Sequence, residues 1–141
     1  MLPSVAHADV PYWQARYWFE PFVRAIAVDP TNPDVVYVGA SNGATYYGEH
    51  GTLVGTGIFR STNGGYTFVP TNSGLPSLVV TALVVDPRTR TCSTPGSTAA
   101  GVAKTTNAGA SYTPVNNGLP SLDVYALAID PVTPTTLYAG L

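Results

Sequence analysis

The strongest constraint in this sequence is a set of segments that return at one fixed interval. Val80-Thr81-Ala82-Leu83-Val84-Val85-Asp86-Pro87 recurs 44 residues later as Val124-Tyr125-Ala126-Leu127-Ala128-Ile129-Asp130-Pro131. TNSGLPSLVV (71–80) becomes VNNGLPSLDV (115–124), and STNGGYTF (61–68) becomes TTNAGASY (105–112), at the same offset. An earlier copy of the first landmark, Val23-Arg24-Ala25-Ile26-Ala27-Val28-Asp29-Pro30, lies 57 residues before its counterpart. The excess falls in ASNGATYYGEHGTLVGTG (40–57), a Gly-rich polar stretch that reads as a long inserted loop. The repeat divides the chain into an aromatic-rich segment (1–22), a first unit with the insertion (23–79), a second unit (80–123) and a truncated third (124–141).

Each unit reads as four short strands rich in β-branched residues and separated by turn residues. The first strand is RAIAV (24–28), TALVV (81–85) or YALAI (125–129), each followed by an Asp-Pro turn. The second is VVYVG (35–39) or TLYAG (136–140), the third GIFRS (57–61) or GVAKT (101–105), and the fourth YTFVP (66–70) or ASYTP (110–114). In the middle unit RTRTCSTPG (88–96) stands where the second strand is expected. Pro95 makes that stretch an edge strand or a loop, because proline donates no ladder hydrogen bond; a local shift of reading frame would restore Leu-Leu-Tyr-Ala-Gly there. No window shows a 3.6-residue apolar period, so no helix is expected. A sheet of this size cannot bury both faces alone, and stacking such units around an axis gives a propeller. The expected fold is therefore all-β: a partial β-propeller of four-stranded antiparallel blades, two near-complete and part of a third.

Between the third and fourth strands sits a turn with its own chemistry. Asn63 and Asn107 can fold a side-chain oxygen onto nearby backbone N–H groups. Gly65 and Gly109 can adopt positive φ. The hydroxyls of Ser61, Thr67, Thr105 and Ser111 can satisfy further turn groups, and Phe68 and Tyr112 can anchor the hairpin by burying a ring. In these residues the chain resembles the Asp-box (BNR) repeat family, with Asn63 and Asn107 in place of the namesake Asp. AIAVDPTNPDVVYVG and GLPS also look like bacterial propellers of the sortilin-like, photosystem-II-assembly-factor-like and xyloglucanase-like groups. The resemblance covers roughly 23–141. It implies a structural turn in each blade and an extracytoplasmic or secreted parent protein.

The remaining chemistry is sparse. Charged residues are 10% of the chain and the net charge is −2, with no Lys/Arg cluster, which argues against a nucleic-acid partner. No apolar run is long enough to span a membrane. Cys92 is the single cysteine, so no internal disulfide can form. STNGG lacks the acidic ligands of a calcium loop and the Gly-Lys-Ser/Thr of a phosphate loop. No cofactor and no metal site are expected. Resemblance to sialidases would imply an arginine triad, a Tyr/Glu pair and an acidic general acid, and Arg16, Arg24, Arg60, Arg88 and Arg90 do not supply that pattern. Asp29, Asp86 and Asp130 recur at equivalent turns and read as caps.

Residues unique to one loop are better candidates for recognition than residues repeated in every blade. These are Tyr46, Tyr47, Glu49 and His50 in the insertion, otherwise a solvated loop tip, and Trp13 and Trp18 in the aromatic segment, otherwise cover for the first blade. No catalytic residue is assigned. The expected role is a non-catalytic scaffold or a protein- or glycan-binding surface. The alternative is a piece of a secreted glycoside hydrolase, sialidase- or xyloglucanase-like, whose carboxylates lie elsewhere. Expected partners are the missing blades of a longer parent or further copies of the chain.

Overall fold

Alternation sets the architecture. Along 23–28 burial alternates between half-buried and exposed positions, whereas 35–40 is buried on both faces. The computed structural model describes residues 5–9, 12–16, 22–41, 57–89 and 93–141, with side chains from 23–40, 57–89 and 95–141. Twelve strands run through these residues: β1 (Val5–Asp9), β2 (Tyr12–Arg16), β3 (Phe22–Asp29), β4 (Asn32–Ser41), β5 (Gly57–Ser61), β6 (Val69–Pro70), β7 (Val80–Val85), β8 (Ser93–Ser97), β9 (Gly101–Lys104), β10 (Thr113–Pro114), β11 (Ala126–Ile129) and β12 (Leu137–Gly140). Strands β3 to β6 form one four-stranded antiparallel sheet in chain order, β7 to β10 a second, and β11 and β12 pair as a third. This is a partial β-propeller.

Ladder partners share a face of the sheet. In the first sheet Ile26 pairs with Val38 and Val28 with Val36, and their side faces away from the second sheet. Ala25 pairs with Gly39 and Ala27 with Tyr37, and their side faces the second sheet. There Tyr37 and Ile58 are buried against Val80, Leu83 and Val85 of β7. The joint closes because Gly39 has no side chain. A Cβ at Gly39 would lie 2.5 Å from Val80 Cγ1 and 3.0 Å from Leu83 Cδ1. The next joint repeats the device: a Cβ at Gly96 would lie 2.8 Å from Val124 Cγ1 and 3.2 Å from Leu127 Cδ1. Each first strand thus wedges a branched side chain against a glycine in the second strand of the preceding sheet.

Two expectations are corrected. Pro95 lies neither in a loop nor at an edge: β8 is interior, between β7 and β9. It is tolerated because the β8–β9 ladder contains only Gly96↔Val102 and Ser97↔Gly101, so no β9 residue pairs with Pro95, which partners Leu83 on β7. The fourth strands are much shorter than YTFVP and ASYTP. Tyr66 N and Thr67 N donate to Asn63, so pairing with β5 begins only at Val69↔Arg60. Residues 5–9 and 12–16 of the aromatic segment form a β-hairpin, which includes His7 and Trp13.

Candidate functional site

The turn between β5 and β6 is held by side-chain hydrogen bonds, both to backbone N–H groups and to other side chains. Ser61 Oγ accepts from Asn63 N at 3.2 Å and Gly65 N at 2.9 Å, and donates to Asn63 Oδ1 at 2.9 Å. Asn63 Oδ1 also accepts from Thr67 N at 2.9 Å, and Asn63 Nδ2 donates to Thr67 Oγ1 at 2.9 Å. The second copy repeats every bond: Thr105 Oγ1 with Asn107 N, Gly109 N and Asn107 Oδ1, and Asn107 with Ser111 N and Oγ. Gly65 and Gly109 have φ of +85° and +87°. Ser61, Thr105, Phe68 and Tyr112 are buried. Asn63 and Asn107 are exposed, but their amides are occupied by the turn itself. These hydrogen bonds hold the blade hairpin closed.

A second repeated device went unassigned in the sequence, although both its members recur at the 44-residue offset. Asn72 Oδ1 accepts from Ile58 N, and Asn116 Oδ1 accepts from Val102 N, each at 2.7 Å. Each amide occupies the space that a Cβ on Gly57 or Gly101 would need: such an atom would lie 2.3 Å from Asn72 Oδ1 or 2.2 Å from Asn116 Oδ1. The Asn–Gly pair therefore pins the segment leaving each fourth strand onto the start of the third. Identical Asn and Gly residues at one offset were the available signal; their sequence separation hid the contact.

Four of the five carboxylates with described side chains serve turns in the same way. Asp29 Oδ1 accepts from Thr31 N at 2.8 Å and Thr31 Oγ1 at 2.7 Å. Asp86 Oδ1 accepts from Arg88 N at 2.8 Å and Thr89 N at 3.3 Å, and Asp130 Oδ1 from Val132 N at 2.8 Å and Thr133 N at 3.0 Å. Asp123 Oδ1 accepts from Ala99 N at 2.8 Å. Partial burial, the largest single influence on Asp86, pushes its pKa up. The N–H groups of Arg88 and Thr89, the Thr89 hydroxyl and the Lys104 charge together outweigh it, so the carboxyl sits below its usual range. Asp130 is also held low, chiefly by the Thr133 and Val132 N–H groups, with a smaller contribution from Arg88. Arg88 reaches across to donate to the Val132 carbonyl, tying the two equivalent turns together.

One buried polar pair lies between the first two sheets. The Arg60 guanidinium stands 5.9 Å from the centre of the Tyr37 ring, its ladder partner. Tyr37 Oη and Arg60 Nε are buried without a hydrogen-bond partner among the described residues. Lys104 holds the equivalent position in the second sheet and contributes its charge to Asp86.

Of the recognition candidates, Trp18, Tyr46, Tyr47, Glu49 and His50 lie outside the described residues. Trp13 is placed by its backbone only, on β2 opposite Ala8. Among the described residues, no group of three or more His, Cys, Asp or Glu is placed to hold a metal ion, and no helix is long and apolar enough to cross a membrane.

No family model matches the sequence, and no curated protein matches it. Solved structures do match. A GH74 enzyme of Niastella koreensis aligns with 84% of the chain at 27% identity and a TM-score of 0.62, over 19% of its own length. A GH74 xyloglucanase of Xanthomonas campestris aligns with 84% at 23% identity and 0.58, over 20% of its length. An ancestral GH74 enzyme aligns with 84% at 23% identity and 0.62, over 16% of its length. The chain thus spans about a fifth of each of these proteins, and the likeness is one of β-propeller fold.

Proposed function

We propose that this chain is a non-catalytic segment of an Asp-box-type propeller, serving as a scaffold and as a binding surface for protein or glycan in an extracytoplasmic parent. The observation that carries this reading is the use of its carboxylates. Glycoside hydrolysis needs two carboxyl groups facing one bond, whereas four of the five carboxylates with described side chains, Asp29, Asp86, Asp123 and Asp130, each accept a backbone N–H in a turn. Recognition is assigned to residues unique to one unit: Trp13 and Trp18, and Tyr46, Tyr47, Glu49 and His50 in the inserted loop. Aromatic faces of this kind stack on sugar rings and anchor protein contacts. The test is a glycan array with the intact chain beside a variant lacking 43–56 and a Trp13→Ala/Trp18→Ala variant. Binding that both variants lose supports the assignment; binding that both retain refutes it.

A second reading is favoured by the likeness to the Niastella koreensis GH74 enzyme. Here the chain contributes blades to a GH74-like glycoside hydrolase whose catalytic carboxylates lie on other blades. Reducing-end release from xyloglucan by the parent protein, with none from this chain alone, supports that reading.

A further inference from the structure

Six asparagines have described side chains, and five of them have their amides engaged. Asn32 accepts from Asp34 N, Asn72 and Asn116 pin β5 and β9, and Asn63 and Asn107 close the hairpin turns. Asn117 is the exception: it is exposed, and its amide makes no hydrogen bond among the described residues. A glycine follows it, as one follows Asn63. The two Asn-Gly pairs differ in what governs attack by the glycine nitrogen on the asparagine side chain. Gly64 N donates to the Asp34 carbonyl at 3.0 Å, Asn63 Oδ1 accepts from Ser61 Oγ and Thr67 N, and Asn63 Nδ2 donates to Thr67 Oγ1. Gly118 N donates no hydrogen bond among the described residues, and no Cβ shields it. That freedom belongs to the loop itself. At the equivalent place in the first unit the Ser73 carbonyl accepts from Tyr112 N of the following hairpin. Ser73 is exposed all the same, and Gly74 N again donates no hydrogen bond among the described residues.

We propose that Asn117 is a self-modifying site that converts to aspartate and isoaspartate through a cyclic imide, while the same dipeptide at Asn63 is held unreactive by its turn. The Gly118 nitrogen attacks Asn117 Cγ and gives up its proton. The Cγ–Nδ2 bond breaks, and the side-chain amide leaves as ammonia. Placement within one chain makes so weak a nucleophile effective. Water then opens the imide at either carbonyl. Opening at Cγ breaks the new bond and leaves an aspartate with the native backbone. Opening at the main-chain carbonyl breaks the original peptide bond and routes the backbone through the side chain. Either product consumes one water, releases one ammonia and adds a negative charge above about pH 4. Asn117 lies inside the turn closed by Leu119 N and the Asn116 carbonyl at 3.0 Å. Beside it the Asn116 amide accepts from Val102 N and donates to the Ala100 carbonyl. An isoaspartate lengthens the backbone of that turn by one carbon, so the modification loosens the pin on β9. The inference rests on the geometry of the loop and is independent of the recognition role proposed above.

The test is peptide mapping of the full chain by mass spectrometry after prolonged incubation in mildly alkaline buffer. Folded chain is compared with chain in guanidinium chloride, and with an Asn117→Ser variant that takes the residue found at the equivalent place in the first unit. Electron-transfer fragmentation assigns each gain of mass to its residue and separates isoaspartate from aspartate. In the folded chain, conversion at Asn117 is expected to outpace that at Asn63 by at least about tenfold, because the Asn63 turn must open before it reacts. In guanidinium chloride the two are expected to convert at similar rates. Hydrogen exchange at Val102 N–H is expected to be about tenfold faster in the isoaspartate fraction than in fresh chain. In Asn117→Ser it is expected to stay constant with age. Equal conversion at both asparagines in the folded chain, or conversion at Asn117 only in guanidinium chloride, overturns the proposal. Val102 protection that is identical in fresh and isoaspartate-containing chain overturns the coupling to β9.

Discussion

Adding one methyl group at three equivalent glycines separates the joint between sheets from every other role of glycine. Gly39, Gly96 and Gly140 hold the same position in successive second strands, and none has a left-handed φ, so backbone strain does not enter. At Gly39 the new Cβ would sit 2.5 Å from Val80 Cγ1 and 3.0 Å from Leu83 Cδ1. Favourable carbon–carbon separations are about 3.5–4.0 Å, so the overlap with Val80 is roughly 1 Å. Val80 is fully buried and β-branched, with little rotamer freedom to escape. Overpacking of this kind costs about 1–3 kcal/mol, and Gly39→Ala belongs at the upper end. Gly96→Ala, with contacts of 2.8 and 3.2 Å, belongs lower in the same range. At Gly140 the nearest atom is Ala126 Cβ at 3.2 Å, and among the described residues the three nearest atoms all belong to Ala126. There the reduced entropy of the unfolded chain, about 0.4–1 kcal/mol, leaves the change near zero. Urea unfolding, measured at concentrations where the chain is a single copy, gives the three values directly. In thermal scans each kcal/mol corresponds to roughly 3–6 °C. Val80→Ala combined with Gly39→Ala is expected to cost less than the sum of the two single changes, by about 1 kcal/mol. Equal costs at all three glycines, or strict additivity with Val80→Ala, would refute the interlocking joint.

Other perturbations address the turns. Thr105→Val keeps the shape of the side chain but strands Asn107 N and Gly109 N, and Asn72→Ala strands Ile58 N; each is expected to lower unfolding stability by about 1–3 kcal/mol. Ala108 sits at φ 58° where its counterpart Gly64 has φ 66°, so Ala108→Gly relieves a left-handed alanine and is expected to stabilise by up to about 1 kcal/mol in the same assay. Asp86 and Asp130 have depressed pKa values in the folded chain. Their stabilising contribution is complete above the unfolded carboxylate value near pH 4 and is lost as pH falls through the lower folded values. Stability measured from pH 6 down to pH 2 is therefore expected to fall, and to fall less steeply in Asp86→Asn and Asp130→Asn.

The fold was legible because a propeller repeats its structural residues. The recurrence of VTALVVDP as VYALAIDP placed β7 and β11, and Asp-Pro located their turns. What the sequence concealed were contacts between residues distant within one unit or across units. Nothing local in VVYVG shows that Gly39 receives Val80, because the knob lies in the following sheet. Asn72 looked like an ordinary loop residue, since its partners Gly57 and Ile58 precede it by a whole hairpin. Pro95 misled for the opposite reason: the local rule against proline in an interior strand is sound, but the ladder to β9 stops short of it. In YTFVP, strand propensity was outweighed by Asn63, which claims the N–H groups of Tyr66 and Thr67. The residues assigned to recognition had no partners predictable from spacing, because they belong to segments that do not repeat.

Consecutive repeat units pack face to face through their second-strand glycines. Methyl-resolved nuclear Overhauser spectroscopy on isotope-labelled chain reads that packing without substitution. Strong cross-peaks are predicted from the Gly39 Hα protons to the Val80 and Leu83 methyls, and from the Gly96 Hα protons to the Val124 and Leu127 methyls. Both sets missing, while the intrasheet contacts Ala27–Tyr37 and Leu83–Pro95 remain, would contradict the arrangement.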